Sequence, residues 1–116
     1  MTFWGSGYER RTYCYIEDCI TAIMCGFKAF SRGKIINREL NIANTQELSI
    51  RQIIEQVREL THTNHLPTPV WDLTKASEIK HQLCSNRTAG EILEWTPQTN
   101  FRAGLNKLVD YIRHLK

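Results

Sequence analysis

Three stretches of this chain carry large apolar residues at helical spacing, while only three or four short strands can be found to cover them. Cys19, Ile20, Ile23, Met24, Phe27 and Phe30 share one helical face. Ile50, Ile53, Ile54, Val57 and Leu60 form a second, and Phe101, Leu105, Leu108, Val109, Ile112 and Leu115 a third. Residues 2–4 and 11–16 read as strands, with β-branched and aromatic residues bounding the turn at Gly5 and Gly7. A further strand is expected over 34–43, interrupted by a bulge or turn at Asn37–Arg38, and a short one near Ile79–Leu83. Mixed helices and strands give an α/β class. So small a sheet cannot cover three wide stripes, so part of the surface that should partner them is expected to be missing.

Boundary signals sharpen this outline. Glu17 and Asp18 place negative charge at the first helix start, and Ser31-Arg32-Gly33 ends that helix. Ser49 with Gln52 makes a capping box ahead of the second. Thr61 to Pro69 reads as loop, and 70–84 as mostly loop apart from the strand near Ile79. Ser85 or Asn86 caps a short helix to Leu93, which Pro97 stops from continuing. Asn100 caps the last, whose end carries Lys107, Arg113, His114 and Lys116.

A length of 116 residues with 41% hydrophobic content suits one small domain. The net charge of +3 is dispersed with no run of like charges, which argues against a nucleic-acid partner. No apolar run approaches the roughly 18–20 residues that span a bilayer. The start lacks the charged and apolar regions of a secretion signal. Cys14, Cys19 and Cys25 with a distant histidine could make a zinc site. Their apolar neighbours favour buried free thiols instead, which fits a reducing cytoplasm and no metal. The four histidines follow no metal spacing and read as surface residues.

The chemistry lies in the run Trp4-Gly5-Ser6-Gly7-Tyr8-Glu9-Arg10-Arg11, continuing through Tyr13, Tyr15 and Ile16 to Asp18. A guanidinium just after a glycine turn suits a diphosphate, because its planar fork can donate two parallel hydrogen bonds. Trp4, read from its residue type alone, is a core anchor. Arg10 reads as solvated. Arg11 reads as the phosphate grip, with pairing to Glu17 or Asp18 as its structural alternative. Asp18 reads as a helix cap rather than a ligand.

This run resembles the Gly-Asp-Gly-x-x-x-Arg-x-Phe-x-Tyr-Val-x-Asp stretch of the NAD-dependent nucleotide-sugar epimerase/dehydratase family, the extended short-chain dehydrogenase/reductases. Gly5, Gly7, Arg11, Tyr13, Tyr15, Ile16 and Asp18 fill its places. Asn41 to Ile50 resembles that family's Asn-Ile-Gly-Asn strand and the helix start after it. Ser77-Glu78-Ile79 with Leu83 to Asn86 resembles a Ser-Glu-Val and Asp-Asn region found in some 4,6-dehydratases. Ala89, Leu93, Trp95, Pro97 and then Gly104-Leu105 resemble a Leu-Gly-Trp-x-Pro and Glu-Gly-Leu ending. The four fall in register across nearly the whole chain, as a carboxyl-terminal part of such an enzyme.

The resemblance implies a single partial domain over 1–116, with the amino-terminal NAD-binding domain absent. It implies substrate-binding roles for Arg11, Trp4, Gly5 and Gly7 toward a UDP- or dTDP-linked sugar, with the glycines letting backbone approach the nucleotide. NAD is expected for the intact enzyme and no cofactor in this chain. No catalytic residue is expected either. The six glycines make no Gly-x-x-Gly-x-x-Gly. The residues four after Tyr8, Tyr13, Tyr15 and Tyr111 are Thr12, Glu17, Cys19 and Leu115, so no Tyr-x-x-x-Lys pair exists. The departures are specific: Trp71 and Leu73 stand near expected arginines, His81 and Gln82 where many members have another, Ser85 replaces Asp, and Glu94 replaces Gly. Lys80 and His81 would be poor substitutes for a second phosphate-gripping arginine. The expected function is a truncated, inactive enzyme that contributes a diphosphate grip. The alternative is an interaction module that docks on a separate NAD-binding half or self-associates.

Overall fold

The computed structural model describes residues 1–34, 38–76 and 78–115. They fall into two units, one comprising Met1–Arg11, Glu47–Leu83 and Arg102–Lys116, the other Thr12–Gln46 and Cys84–Phe101.

The first unit contains two small sheets. Strand β1 (Thr2–Trp4) pairs in parallel with β4 (Val70–Asp72), setting Phe3 opposite Trp71 and Trp4 opposite Asp72. The second sheet has the order β3-β2-β5, with β2 at Arg10–Thr12, β3 at Glu47–Ser49 and β5 at His81–Gln82. Arg10 lies opposite His81 and Arg11 opposite Gln82. β2 is shorter than the 11–16 expected, because helix α1 already begins at Ile16. β3 and β4 arise where helix start and loop were expected. At three residues each they are too short for alternation to show. A single 3-10 turn follows β4 over Leu73–Lys75, its first turn capped by Asp72, whose carboxylate accepts from the Thr74 N–H at 3.1 Å.

Helix α2 (Ile50–Leu60) starts as its sequence demands. Ser49 Oγ accepts from the Gln52 N–H at 3.2 Å, and the Gln52 side chain accepts from the Ser49 N–H at 2.9 Å. Arg102 and Arg113 of helix α4 (Phe101–His114) tie to this helix, donating to Glu59 at 2.7 Å and to the Leu60 carbonyl at 3.0 Å.

The second unit is built on α1 (Ile16–Ser31) and α3 (Arg87–Leu93). Its core is Ala22, Ala29, Ala89, Leu93 and Trp95, with Cys14, Cys25, Leu40, Ile42 and Ile92 against it. The buried face of α1 therefore carries Asp18, Ala22 and Ala29, at spacings of four and seven. Ile20, Ile23, Met24, Phe27 and Phe30 are all exposed, Phe27 at 67%. The large-residue stripe that marks this helix in the sequence is its uncovered face. Gly33, at φ 70°, ends the helix as expected.

Residues 38–46 form no strand, which corrects the one expected over 34–43; Ile35, Ile36 and Asn37 lie outside the described residues, as does Ser77 of the Ser-Glu-Val resemblance. Side-chain bonds hold that segment instead. Asn44 donates to the Thr99 carbonyl at 3.0 Å and accepts from the Gln46 N–H at 2.9 Å, and Asn86 donates to the Ala43 carbonyl at 2.9 Å. Asn86 is thereby spent outside its own helix. Ser85 Oγ meets the Arg87 N–H at 3.3 Å. The architecture is a small α/β arrangement, as the sequence led us to expect.

Candidate functional site

The opening turn is shaped by its own side chains. Gly5 and Gly7 take φ values of 88° and 78°, which residues with a Cβ rarely adopt. A Cβ on Gly5 would stand 2.8 Å from a Glu9 carboxylate oxygen. One on Gly7 would collide with the Trp71 ring at 2.4 Å and with the Arg51 stem at 2.7 Å. Both glycine faces are thus filled from within the unit. Glu9 is buried and folds back to accept from the Ser6 N–H and hydroxyl, each at 3.1 Å. Its own backbone N–H and that of Ser6 hold its carboxyl below the usual carboxylate range, against the upward push of burial.

Trp4 ends β1 just before this turn and is 71% exposed. It is not a core anchor. Lys75 Nζ lies 4.8 Å from its ring centroid and 3.8 Å from an Asp72 oxygen. The sequence reading passed over Lys75; its signal was the Asp72–Lys75 spacing of three after a strand facing β1.

Arg11 does not use an acid. It donates to the Arg10 carbonyl at 2.8 Å, to the Ile79 carbonyl at 2.9 Å and to the Lys80 carbonyl at 3.5 Å. The guanidinium therefore staples β2 to the segment leading into β5, while its Nε–H stays uncommitted among the described residues. Asp18, 4% exposed, is engaged by the Gln98 and Thr99 N–H groups at 3.0 and 2.9 Å. It caps the approach to α4 rather than its own helix. Arg10 is half-buried, not solvated: Nε donates to Glu47 at 2.6 Å. His81 Nδ1 reaches the same carboxylate at 3.0 Å. Burial pushes the Glu47 carboxyl up, but these two partners outweigh it and hold it below the usual range. The histidines are all exposed.

The four cysteines are free, but Cys14, Cys19 and Cys25 are half-buried rather than buried, and Cys84 is exposed. Burial, then the neighbouring Cys19 thiol and the Asp18 carboxylate, push Cys14 up to about 12, so it stays a thiol at neutral pH. Among the described residues no cluster of three or more metal-ligating side chains forms, and no helix is long and apolar enough to cross a membrane.

The glycines also decide whether these residues fit a dinucleotide. A pyrophosphate cradle needs a glycine turn with open backbone N–H groups at a helix start. Here the Gly5–Gly7 turn runs into Tyr8 and Glu9, and its open faces are taken by Glu9, Trp71 and Arg51. The residues of this turn do not fit NAD.

No family model matches the chain. It is similar to a UDP-N-acetyl-alpha-D-glucosaminuronate decarboxylase of Bacillus cytotoxicus, 22% identical over all of this chain and 36% of that protein. GDP-L-fucose synthase 1 of Arabidopsis thaliana is 27% identical over 96% of this chain and 32% of its own length. A UDP-glucuronic acid 4-epimerase of Bacillus cereus, solved with UDP-glucuronic acid and NAD, superposes with a TM-score of 0.84 at 25% identity, over 99% of this chain and 35% of the epimerase. The chain spans about a third of the length of the relatives it matches, in their carboxyl-terminal region.

Proposed function

We propose that this chain, a homologue of the carboxyl-terminal region of NAD-dependent nucleotide-sugar epimerases in the extended short-chain dehydrogenase/reductase family, grips a nucleotide-diphosphate sugar. The observation that carries this reading is an exposed indole with a cation over its face, just before the glycine turn. Trp4 offers a nucleobase a stacking surface, and Lys75 Nζ lies over its ring. Arg11, oriented by three backbone carbonyls, supplies the diphosphate contact through its Nε edge. Gly5 and Gly7 act by shaping the turn between Trp4 and Arg11. UDP- and dTDP-linked sugars are the ligands to test. The reading is supported by relatives solved with UDP-sugars. These residues carry no oxidation or epimerisation step, so the contribution is binding. Free cysteines among the described residues support a reducing cytoplasm as its compartment. The test is quenching of indole fluorescence by UDP and by uridine, in the intact chain and in Trp4→Phe. Saturable quenching by UDP that vanishes in Trp4→Phe and weakens at least fivefold for uridine is expected. Quenching that is unchanged in Trp4→Phe would remove Trp4 from the site.

The bare face of α1 favours a second reading, as an interaction module. Ile23, Phe27 and Phe30 with Gly26, Arg38 and Leu40 line an apolar groove of about 500 Å³. Exposed apolar surface on this scale usually marks an interface. The resemblance implies an NAD-binding half as its cover, with self-association as the alternative. Sedimentation of Phe27→Glu beside the unmodified chain decides it. Loss of association in the variant supports docking, and a monomer in both, with no dye-accessible apolar surface, removes it.

A further inference from the structure

The charged groups around the opening turn are nearly all committed. Glu9 is folded onto Ser6, Arg10 is paired with Glu47, and Arg58 spends its guanidinium on the Asn64, Leu66 and Pro67 carbonyls at 2.6–3.0 Å. Arg51 is the exception. Its guanidinium carbon lies 4.5 Å from the Tyr8 ring centroid and 4.6 Å from that of Trp71, so the group lies against two rings. Its Nε–H donates to the Ser6 carbonyl at 2.9 Å, which fixes rotation about the last bond. Among the described residues, no acceptor is within hydrogen-bond distance of either Nη. Arg51 also lines a cavity of about 430 Å³ with Ile54, Glu55, Asn64, Thr68 and Trp71.

We propose that this cavity binds a small oxyanion with an apolar body, a carboxylate or phosphate monoester on a ring or chain, anchored by the Arg51 fork. A planar guanidinium held against aromatic rings donates hydrogen bonds only in its own plane. Its remaining N–H groups then form the parallel pair that a carboxylate or phosphate accepts. Holding it there in advance removes the ordering cost that a free arginine pays on binding. Ile54 and Trp71 give the apolar body a wall, and Asn64 and Thr68 offer further donors. The volume falls in the range of small-molecule sites, roughly 300–1,000 Å³. Glu55, one turn after Arg51, lines the same cavity and makes no ion pair with it, so it opposes the anion. This site shares no ligand contact with Trp4, Arg11 or Lys75 and stands whether or not a nucleotide sugar binds.

The experiment is a titration of the full chain with phenyl phosphate, benzoate and inorganic phosphate, following the Arg51 Nε and Trp71 indole N–H signals by NMR. Saturable shifts at both positions in the millimolar range are expected, at least threefold tighter for the ring-bearing anions than for inorganic phosphate. Whichever of phenyl phosphate and benzoate is tighter identifies the oxyanion. Arg51→Met, which keeps the stem packed on Gly7, should abolish saturation. Arg51→Lys, which keeps the charge without the fork, should weaken binding at least fivefold. Glu55→Gln should tighten it at least twofold. Linear shifts of equal size with all three anions would overturn the proposal, as would an Arg51→Met chain that titrates like the unmodified one.

Discussion

The two units are held together by different physics. In the second, small apolar residues let backbones approach: Ala22, Ala29 and Ala89 surround Trp95, whose indole N–H donates to Thr21 at 3.3 Å. In the first, the turn and sheet are organised by charge: Glu9 on Ser6, Arg10 and His81 on Glu47, Arg51 against Tyr8 and Trp71. The alanine-lined cluster rests on apolar packing, whereas the opening turn rests on hydrogen bonds to ionised groups, and those respond to pH as a packed alanine does not. The motifs that carry the family resemblance divide the same way. Asn44, Asn86, Trp95 and Asp18 serve the scaffold of the second unit, whereas Trp4 and Arg11 belong to the first.

The contrast is broken most strongly at Trp95. Trp95→Ala removes the largest member of the alanine-lined core, and a loss of about 3–5 kcal/mol is expected. Denaturant unfolding followed by circular dichroism measures it; a cost under about 1 kcal/mol would mean that this core is not what holds its unit. Gly7→Ala attacks the other unit. It forces a Cβ against Trp71 at a positive φ, and a loss of about 2–3 kcal/mol is expected. Replacement of Gly33, which has the same sign of φ but open space around it, should cost about 1 kcal/mol. Equal effects at the two glycines would show that the filled face of Gly7 is energetically idle.

Acid comes next in size. Glu9 and Glu47 both have folded-state values below their unfolded ones, so protonation favours the unfolded chain. Their stabilisation is fully present above the unfolded value near 4.5 and is lost as the pH falls through the lower folded values. Hydrogen exchange at the Ser6 amide, which donates to Glu9, should accelerate across that window once corrected for the intrinsic rate; a flat corrected rate contradicts this. The smallest effect concerns Glu94. It sits at φ 55° and ψ 38°, the left-handed position where the resembling motif has glycine. Its ion pair with Lys34, at 3.5 Å, is exposed and weak. Glu94→Gly should therefore stabilise by about 0.5–1 kcal/mol, raising the thermal midpoint by a few degrees.

The sequence was most readable where a signal is local and chemical. The Ser49–Gln52 box is a pair of reciprocal bonds three residues apart, and it fixed the start of α2. The glycine turn was legible for the same reason. On α1 the hydrophobic signal comes from the large exposed residues, and the small buried face of Ala22 and Ala29 carries almost none. Close helix packing needs small side chains, which carry little hydrophobic signal. β3 and β4 exist because of partners far along the chain, such as the pairing of Phe3 with Trp71, and three residues cannot announce that. At the site, residue types were readable but partners were not. Arg10 seeks Glu47 and Arg51 seeks Tyr8 and Trp71 across separations no spacing rule covers.

Calorimetric titration of the chain with UDP-glucose, beside Arg11→Lys and Arg11→Ala shown to remain folded, tests the diphosphate grip most directly. Saturable heat is expected for the unmodified chain, weakened at least fivefold in Arg11→Lys and at least tenfold in Arg11→Ala. No heat at millimolar ligand, or the same affinity in all three, would contradict it.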